Sequence, residues 1–488
     1  MNNNRIVLSI VIILAVACFC LAAVLAVSGG VFLLAGDRLN NFFPSATLTN
    51  TPPTVTPTPA TPTQASSSMG STATPNGQGE KDLPPAIARQ MDRIQEQVAS
   101  IRSLELPPTV NRALLSVDQL RQQVESDFFK DYNQQDVEDD VRVLAAFGLL
   151  EPDFDLYSLY LDLYTEQIAG YYDLETDEMF VVLDTGFSGP QRSTYSHEFT
   201  HALQDYNHNV RDGMHYNEDY CETDSEYCAA IQALIEGDAS LTEQSWLYLY
   251  GTDLDRKEID EYYQNNDLSV FDTAPAFLQE DFIFPYLQGV DFVLALFEEG
   301  GFARIDEAYG DPPVSTEQIL HPERYPDDRP VPVDLPDLSN TLGRELRELD
   351  RGVMGEWYTY LILARGVQQA SQIPDDQAAP ATEGWGGDSY AVYWDEAAGQ
   401  PVVVLSTIWD SEGEAQEFYT AFRAYGTANW GAPVQTRGTD ELNWDSAGDG
   451  ASVFIRTGAQ TLWVVAPTSA DVQLLLQSLS VSESVGAR

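Results

Sequence analysis

Tyr195-Ser-His-Glu-Phe-Thr-His-Ala-Leu-Gln-Asp205 constrains this 488-residue chain more than any other stretch. It sets His197 and His201 four residues apart, with Glu198 beside the first. On an α-helix, residues four apart lie one above the other on the same face. Two imidazoles so placed can hold one metal ion from one side, and Glu198 then stands next to a water on that ion. The spacing therefore predicts a helix, with Ser193 placed to cap its start.

Two histidines do not complete a catalytic zinc site, which takes a third protein ligand and leaves one position for water. In one large class of such sites the third ligand is a histidine six residues after the second, with an intervening glycine. Gln204 and Asn207 occupy those positions here, and His208 is one place out of register. That class is excluded. Glu236 is the better candidate, in Ala229-Ala-Ile-Gln-Ala-Leu-Ile-Glu-Gly-Asp-Ala-Ser240. The stretch reads as an apolar helix with a carboxylate in its middle, and a buried carboxylate needs a partner. Ala233, Gly237, Ala239 and Ser240 are small enough to let this helix approach the first one closely. For supports behind the ligands, Asp205, Asp238 and Glu243 are all available, and the sequence does not choose among them.

Ahead of these helices the chain begins with an apolar run from Ile6 to Val27, resumed from Val31 to Ala35. Twenty-two helical residues would span about 33 Å, enough to cross a bilayer. Arg5 precedes the run, and Arg38 after it is offset by Asp37, so the N-terminus is expected inside and the remainder outside. Residues 1–36 thus read as an uncleaved transmembrane anchor. Residues 37–82, rich in Thr and Pro, read as a disordered stalk with too little apolar surface to offset ordering. Cys221 and Cys228 flank a polar stretch, and outside the cytoplasm they would form a disulfide worth about 2.5 kcal/mol. With 76 acidic against 25 basic residues the net charge is −51, which argues against nucleic acid as a partner.

Ile87, Met91, Ile94, Val98 and Ile101 mark an amphipathic helix, ended by Pro107-Pro108. A strand over Val110 to Leu115 follows, and Ser116 with Gln119 forms a capping box opening a helix to about Phe129. Further helices are expected over Gln135 to Phe147 and Leu156 to Gln167. Ile168-Ala-Gly-Tyr-Tyr-Asp173 and Met179-Phe-Val-Val-Leu183, five turn-like residues apart, predict a hairpin. Its outer strand could pair with an extended peptide.

His-Glu-Phe-Thr-His-Ala-Leu-Gln-Asp followed by Ala-Leu-Ile-Glu-Gly-Asp-Ala resembles the gluzincin metallopeptidases, the group containing thermolysin and the membrane alanyl aminopeptidases. The chain is more closely similar to a set of largely uncharacterised bacterial zinc peptidases. Those also carry the Gly-Tyr-Tyr-Asp hairpin and the later Pro312-Pro-Val-Ser-Thr-Glu-Gln-Ile-Leu-His-Pro322. The resemblance covers roughly Leu104 to Tyr325. It implies Zn2+ on His197, His201 and Glu236, with Glu198 as the general base of peptide-bond hydrolysis. It also implies a hydrogen-bond donor for the oxyanion, with two candidates. Phe284-Pro-Tyr286-Leu-Gln-Gly289 is similar to the Pro-Tyr-x-x-Gly of the aminopeptidase branch, whereas His321 could serve as the thermolysin-type histidine does. No glycine-rich amine-binding motif is evident, which favours an endopeptidase.

Past an extended connector after Tyr325, a helix is expected around Gly355 to Leu363. Strands follow at Tyr390 to Trp394 and Val402 to Ile408, then a helix from Gly413 to Tyr425. Val453 to Arg456 and Leu462 to Val465 predict a hairpin around Gly458, with a last helix over Ala470 to Leu479. The fold class is α+β: a mostly helical zincin-like domain with a small sheet over 83–335, and a smaller α+β domain over 336–488. The leading expectation is a single-pass membrane peptidase, its bulk extracytoplasmic, acting on peptides or proteins. The alternative is a catalytically inactive zincin-fold scaffold of the cell envelope.

Overall fold

The computed structural model describes residues 83–124, 126, 132–167, 169–182, 186–265, 269–435, 440–447 and 450–486. The expected anchor and stalk lie outside the described residues. Among the described residues, no helix is long and apolar enough to cross a membrane.

The first part is mostly helical. α1 (Pro85–Arg102) begins with a proline, whose missing N–H costs nothing in a first turn, and buries Met91, Ile94 and Val98. β1 (Asn111–Leu115) leads into α2 (Val117–Gln123), where Ser116 and Gln119 form the expected capping box. α3 (Gln134–Ala146) and α4 (Leu156–Gln167) follow. β2 (Gly170–Asp173) and β3 (Glu178–Val182) form the hairpin. In its turn the Asp173 carboxylate accepts the N–H groups of Glu175 at 2.8 Å and Thr176 at 3.2 Å. β3 is interior, with β1 parallel to it on one side and β2 antiparallel on the other. β2 is thus an edge strand of the small sheet.

Four helices then build the centre: α5 (Gly189–His208), α6 (Ser225–Leu249), α7 (Asp253–Asn265) and α8 (Ala276–Gly300). α6 is buried along nearly its whole length. It crosses α8 at two glycines. A Cβ on Gly237 would lie 2.2 Å from the Gly289 carbonyl oxygen, and one on Gly289 would lie 2.3 Å from that of Ala233. The small residues expected to bring α6 against α5 therefore serve, at Ala233 and Gly237, a backbone contact with α8. A helix presents these residues on one face and Glu236 beside them, so this crossing sets the depth at which Glu236 stands. α9 (Phe302–Ala308) and α10 (Thr316–Leu320) close this part.

The second part is a seven-stranded antiparallel sheet. Its strands are β4 (Arg347–Gly352), β5 (Trp385–Asp395), β6 (Gln400–Trp409), β7 (Val434–Gln435), β8 (Glu441–Ala447), β9 (Gly450–Thr457) and β10 (Gln460–Ala466), in the order β4-β5-β6-β10-β9-β8-β7. α11 (Gly355–Ala364) and α12 (Asp375–Thr382) lie between β4 and β5, α13 (Glu412–Trp430) follows β6, and α14 (Ser469–Gly486) ends the described chain. Alternate residues of a strand face opposite sides. Accordingly Val403 and Leu405 join the core that holds Phe418 and Phe422 of α13, whereas Val402 and Val404 pack with Val472 and Leu475 of α14. Apolar packing also joins the two parts. Phe147, at the end of α3, meets the Tyr390 ring at 5.7 Å and the Trp463 ring at 5.9 Å.

Candidate metal centre

α5 delivers the histidines. It starts four residues before Ser193, at Gly189-Pro190, and the Ser188 N–H donates to the Gln191 side chain at 3.2 Å. Ser193 is consequently not the cap expected of it. It sits one turn inside the helix, buried, and its hydroxyl donates to Glu243 Oε1 at 2.6 Å. The helix is tied from outside by Arg192, whose Nε donates to Asp255 of α7 at 2.6 Å.

His197, His201 and Glu236 converge, each offering a ligand atom within 4.8 Å of the others. His197 Nε2 lies 3.0 Å and His201 Nε2 3.6 Å from Glu236 Oε2. Ligands about 2.1 Å from a tetrahedral ion stand roughly 3.4 Å apart, so these separations fit zinc. Two further facts test the fit. His201 Nε2 and Glu236 Oε1 are buried and make no hydrogen bond, and a buried polar atom left so is costly unless something else engages it. Both imidazoles are 2 % exposed, and Glu236 and Glu198 are 0 % exposed. The donor set, two imidazoles and one carboxylate, suits Zn2+ and is the open set of a catalytic site.

Each histidine is backed at its other nitrogen. His197 Nδ1 stands 3.3 Å from Glu243 Oε2, and His201 Nδ1 stands 2.9 Å from Gln204 Oε1. Of the three carboxylates available in the sequence, Glu243 takes the first of these places, seven residues after Glu236. Asp238 acts one step further out, accepting from Gln204 Nε2 at 3.0 Å, and Asp205 lies away from the rings, against the Arg211 N–H. The buried cluster holds a proton when no metal does. Burial disfavours the His197 cation, but bonds to Glu236 and Glu243 outweigh it and push the imidazole up to about 10. Burial likewise raises Glu236, and the two histidines more than reverse this, drawing it down to about 2.

The other expected residues divide. Tyr286, on α8 one turn before the Gly289 crossing, is 3 % exposed and has its ring 6.4 Å from that of His197. His321 stands at the end of α10, with Nε2 3.0 Å from Glu356 Oε1 of α11. Its partner is thus in the second part of the chain. Cys221 and Cys228 are joined as a disulfide, and Cys228 lies in the first turn of α6. Gly170 of the edge strand β2 comes against the motif itself: a Cβ there would lie 2.9 Å from Thr194 Cγ2 and 3.5 Å from Glu198 Cγ. The sequence reading missed Gln204 and Arg102 as supports. Gln204 was visible only as the residue standing where another class of site needs glycine, and Arg102 carries no local signal.

His197-Glu198-x-x-His201 with Glu236 forms a zincin-type metal-binding triad of the gluzincin kind. It indicates a catalytic zinc site typical of a metallopeptidase. Comparison with known proteins bears on the other part of the chain. A family model described as a domain of unknown function (DUF8575) matches residues 344–476, which hold the seven-stranded sheet and none of the triad. No curated protein and no solved structure matches the chain significantly.

Proposed function

We propose that this chain is a membrane-anchored zinc endopeptidase working outside the cytoplasm, with 83–335 as its peptidase domain and 336–488 as an appended α+β domain. The observation that carries the catalytic reading is the convergence of His197, His201 and Glu236 from two helices, with Glu198 next to the first ligand. Bound there, zinc would acidify a water and polarise a scissile carbonyl. The residues of the chain do the rest. Glu198 takes the proton of the attacking water on its carboxylate and returns it to the departing amine. Tyr286, whose ring lies 6.4 Å from that of His197, is our assignment for the donor to the developing oxyanion, an effect worth about 3–4 kcal/mol in comparable sites. β2, an edge strand beside Glu198, can pair with the backbone of an extended peptide. His321, bonded to Glu356, is the weaker candidate for the oxyanion donor.

The location rests on three supports: the apolar run Ile6 to Val27, the charge bias around it, and the Cys221–Cys228 disulfide, a bond that persists in oxidising compartments. The full-length chain in detergent, assayed for bound zinc and against a mixed peptide library, tests the activity. One zinc per chain with internal cleavage of peptides is expected, and zinc without cleavage would favour the inactive scaffold. Protease treatment of intact cells tests the topology, since an outside-facing catalytic part is digested without lysis.

A further inference from the structure

Resting on the zinc reading above, we infer that Gln204 is a positioning residue that locks His201 in its metal-binding tautomer, through an anchor reaching back to α1. An amide side chain has a donor end and an acceptor end, and its hydrogen bonds decide which end faces where. Gln204 Nε2 meets the Ile235 carbonyl oxygen and Asp238 Oδ2, each at 3.0 Å. Both partners accept only, so this end must be the NH2 group. Gln204 Oε1 is then the atom 2.9 Å from His201 Nδ1. A carbonyl oxygen can only accept, so Nδ1 carries the hydrogen. The lone pair of the neutral ring is left on Nε2, the atom that faces Glu236 Oε2 at 3.6 Å and makes no hydrogen bond.

The amide cannot readily turn over. Flipping it would set its oxygen against the Ile235 carbonyl and the Asp238 carboxylate, three acceptor oxygens facing one another in a buried site. Asp238 is itself fixed, since its Oδ2 also accepts from Arg102 at 2.9 Å and from the Tyr309 hydroxyl at 2.8 Å. Arg102 and Asp238 are fully buried, and Arg102 is held on its far side by Asp306 of α9. A buried ion pair of this kind is a poor source of stability but a good source of fixed geometry. The line runs from α1 through α6 to α5. His197, by contrast, is backed by the carboxylate of Glu243, which cannot donate and needs no such anchor to keep its sense.

Two substitutions separate this role from ordinary packing. Gln204→Met keeps the volume and removes the acceptor. Gln204→Glu keeps an acceptor at His201 Nδ1 but brings a second carboxylate against Asp238. The readouts are zinc affinity by chelator competition, melting temperature, and the tautomer of His201 from long-range proton–nitrogen NMR of the zinc-free full chain. The expected result is a crossing. Gln204→Met weakens zinc about 10–100-fold and mixes the tautomers with a modest loss of melting temperature. Gln204→Glu loses more melting temperature, yet keeps the Nδ1–H form and binds zinc within a few-fold of the unsubstituted protein. Zinc loss that simply follows melting temperature in both variants would overturn the inference, as would an unchanged tautomer in Gln204→Met. An unsubstituted chain that binds no zinc would instead refute the peptidase reading, and the NMR readout alone would still decide the lock.

Discussion

The helical centre and the C-terminal sheet are equally buried but filled with different material. Around the triad, His197, Glu198, His201, Gln204, Glu236, Asp238 and Glu243 are all buried on two adjacent helices. On the α13 face of the sheet the interior is aromatic: Phe422 stacks on Phe454 at 4.1 Å and meets Trp463 edge-on at 5.1 Å. Polar groups taken from water must be fully bonded or they destabilise, whereas apolar area is favourable wherever it is buried. The polar cluster around the triad is therefore arranged for chemistry at the expense of stability, whereas the aromatic cluster on the sheet contributes stability by burial alone. If so, substitutions in the two regions should have opposite signatures.

The largest expected effect is that of Glu198→Gln. Turnover of a cleaved peptide should fall about 10²–10⁴-fold with zinc content and melting temperature retained, and undiminished turnover would remove Glu198 as the base. On the other side of the comparison, Phe422→Ala should cost about 3–5 kcal/mol in a denaturant titration, with zinc affinity of the folded fraction unaltered. A zinc loss larger than the unfolded fraction would show that the regions are not separable. Gly237→Ala should do both kinds of damage. Its new methyl meets the Gly289 backbone of α8, so about 1–3 kcal/mol of stability and a measurable part of zinc affinity should be lost together.

The smallest effect is graded with pH. In the zinc-free protein His197 is raised from 6.5 to about 10 by Glu236 and Glu243 against its burial. The pairing therefore stabilises the zinc-free fold fully between about pH 4.5 and 6.5, and that contribution is lost as pH rises through about 10 or falls through about 2. Zinc must displace the proton, so its affinity should change the other way, rising roughly tenfold per pH unit between pH 7 and 9. Chelator competition at several pH values measures this, and a flat profile would mean that no proton is displaced.

What could be read in the chain follows the range over which each feature is encoded. The Ser116 capping box, the limits of α4, the hairpin and the His197–His201 spacing are local, and the structure places them within a residue or two of expectation. Glu236 was readable because an acid in an apolar helix needs a reason. β4, with the sequence Arg-Glu-Leu-Asp-Arg-Gly, and β8, with Glu-Leu-Asn-Trp-Asp-Ser-Ala, were not, since their polar residues hide the alternation that marks a strand. Nor was the support of His201, because Arg102 and Asp238 are 136 residues apart and only the packing of α1 on α6 joins them. Ser193 misled for a related reason. A serine near a helix start is usually a cap, but here the chain supplies Ser188 and Gln191 first, and Ser193 faces Glu243 instead.

The central claim is that a carboxylate from α6 shares one zinc ion with the two imidazoles of α5. Its most direct test is metal analysis, after dialysis against a weak chelator, of the full-length chain and of Glu236→Gln. One zinc per chain in the first and its loss from the second is the result predicted here. Equal zinc in both, with the variant folded, would contradict it.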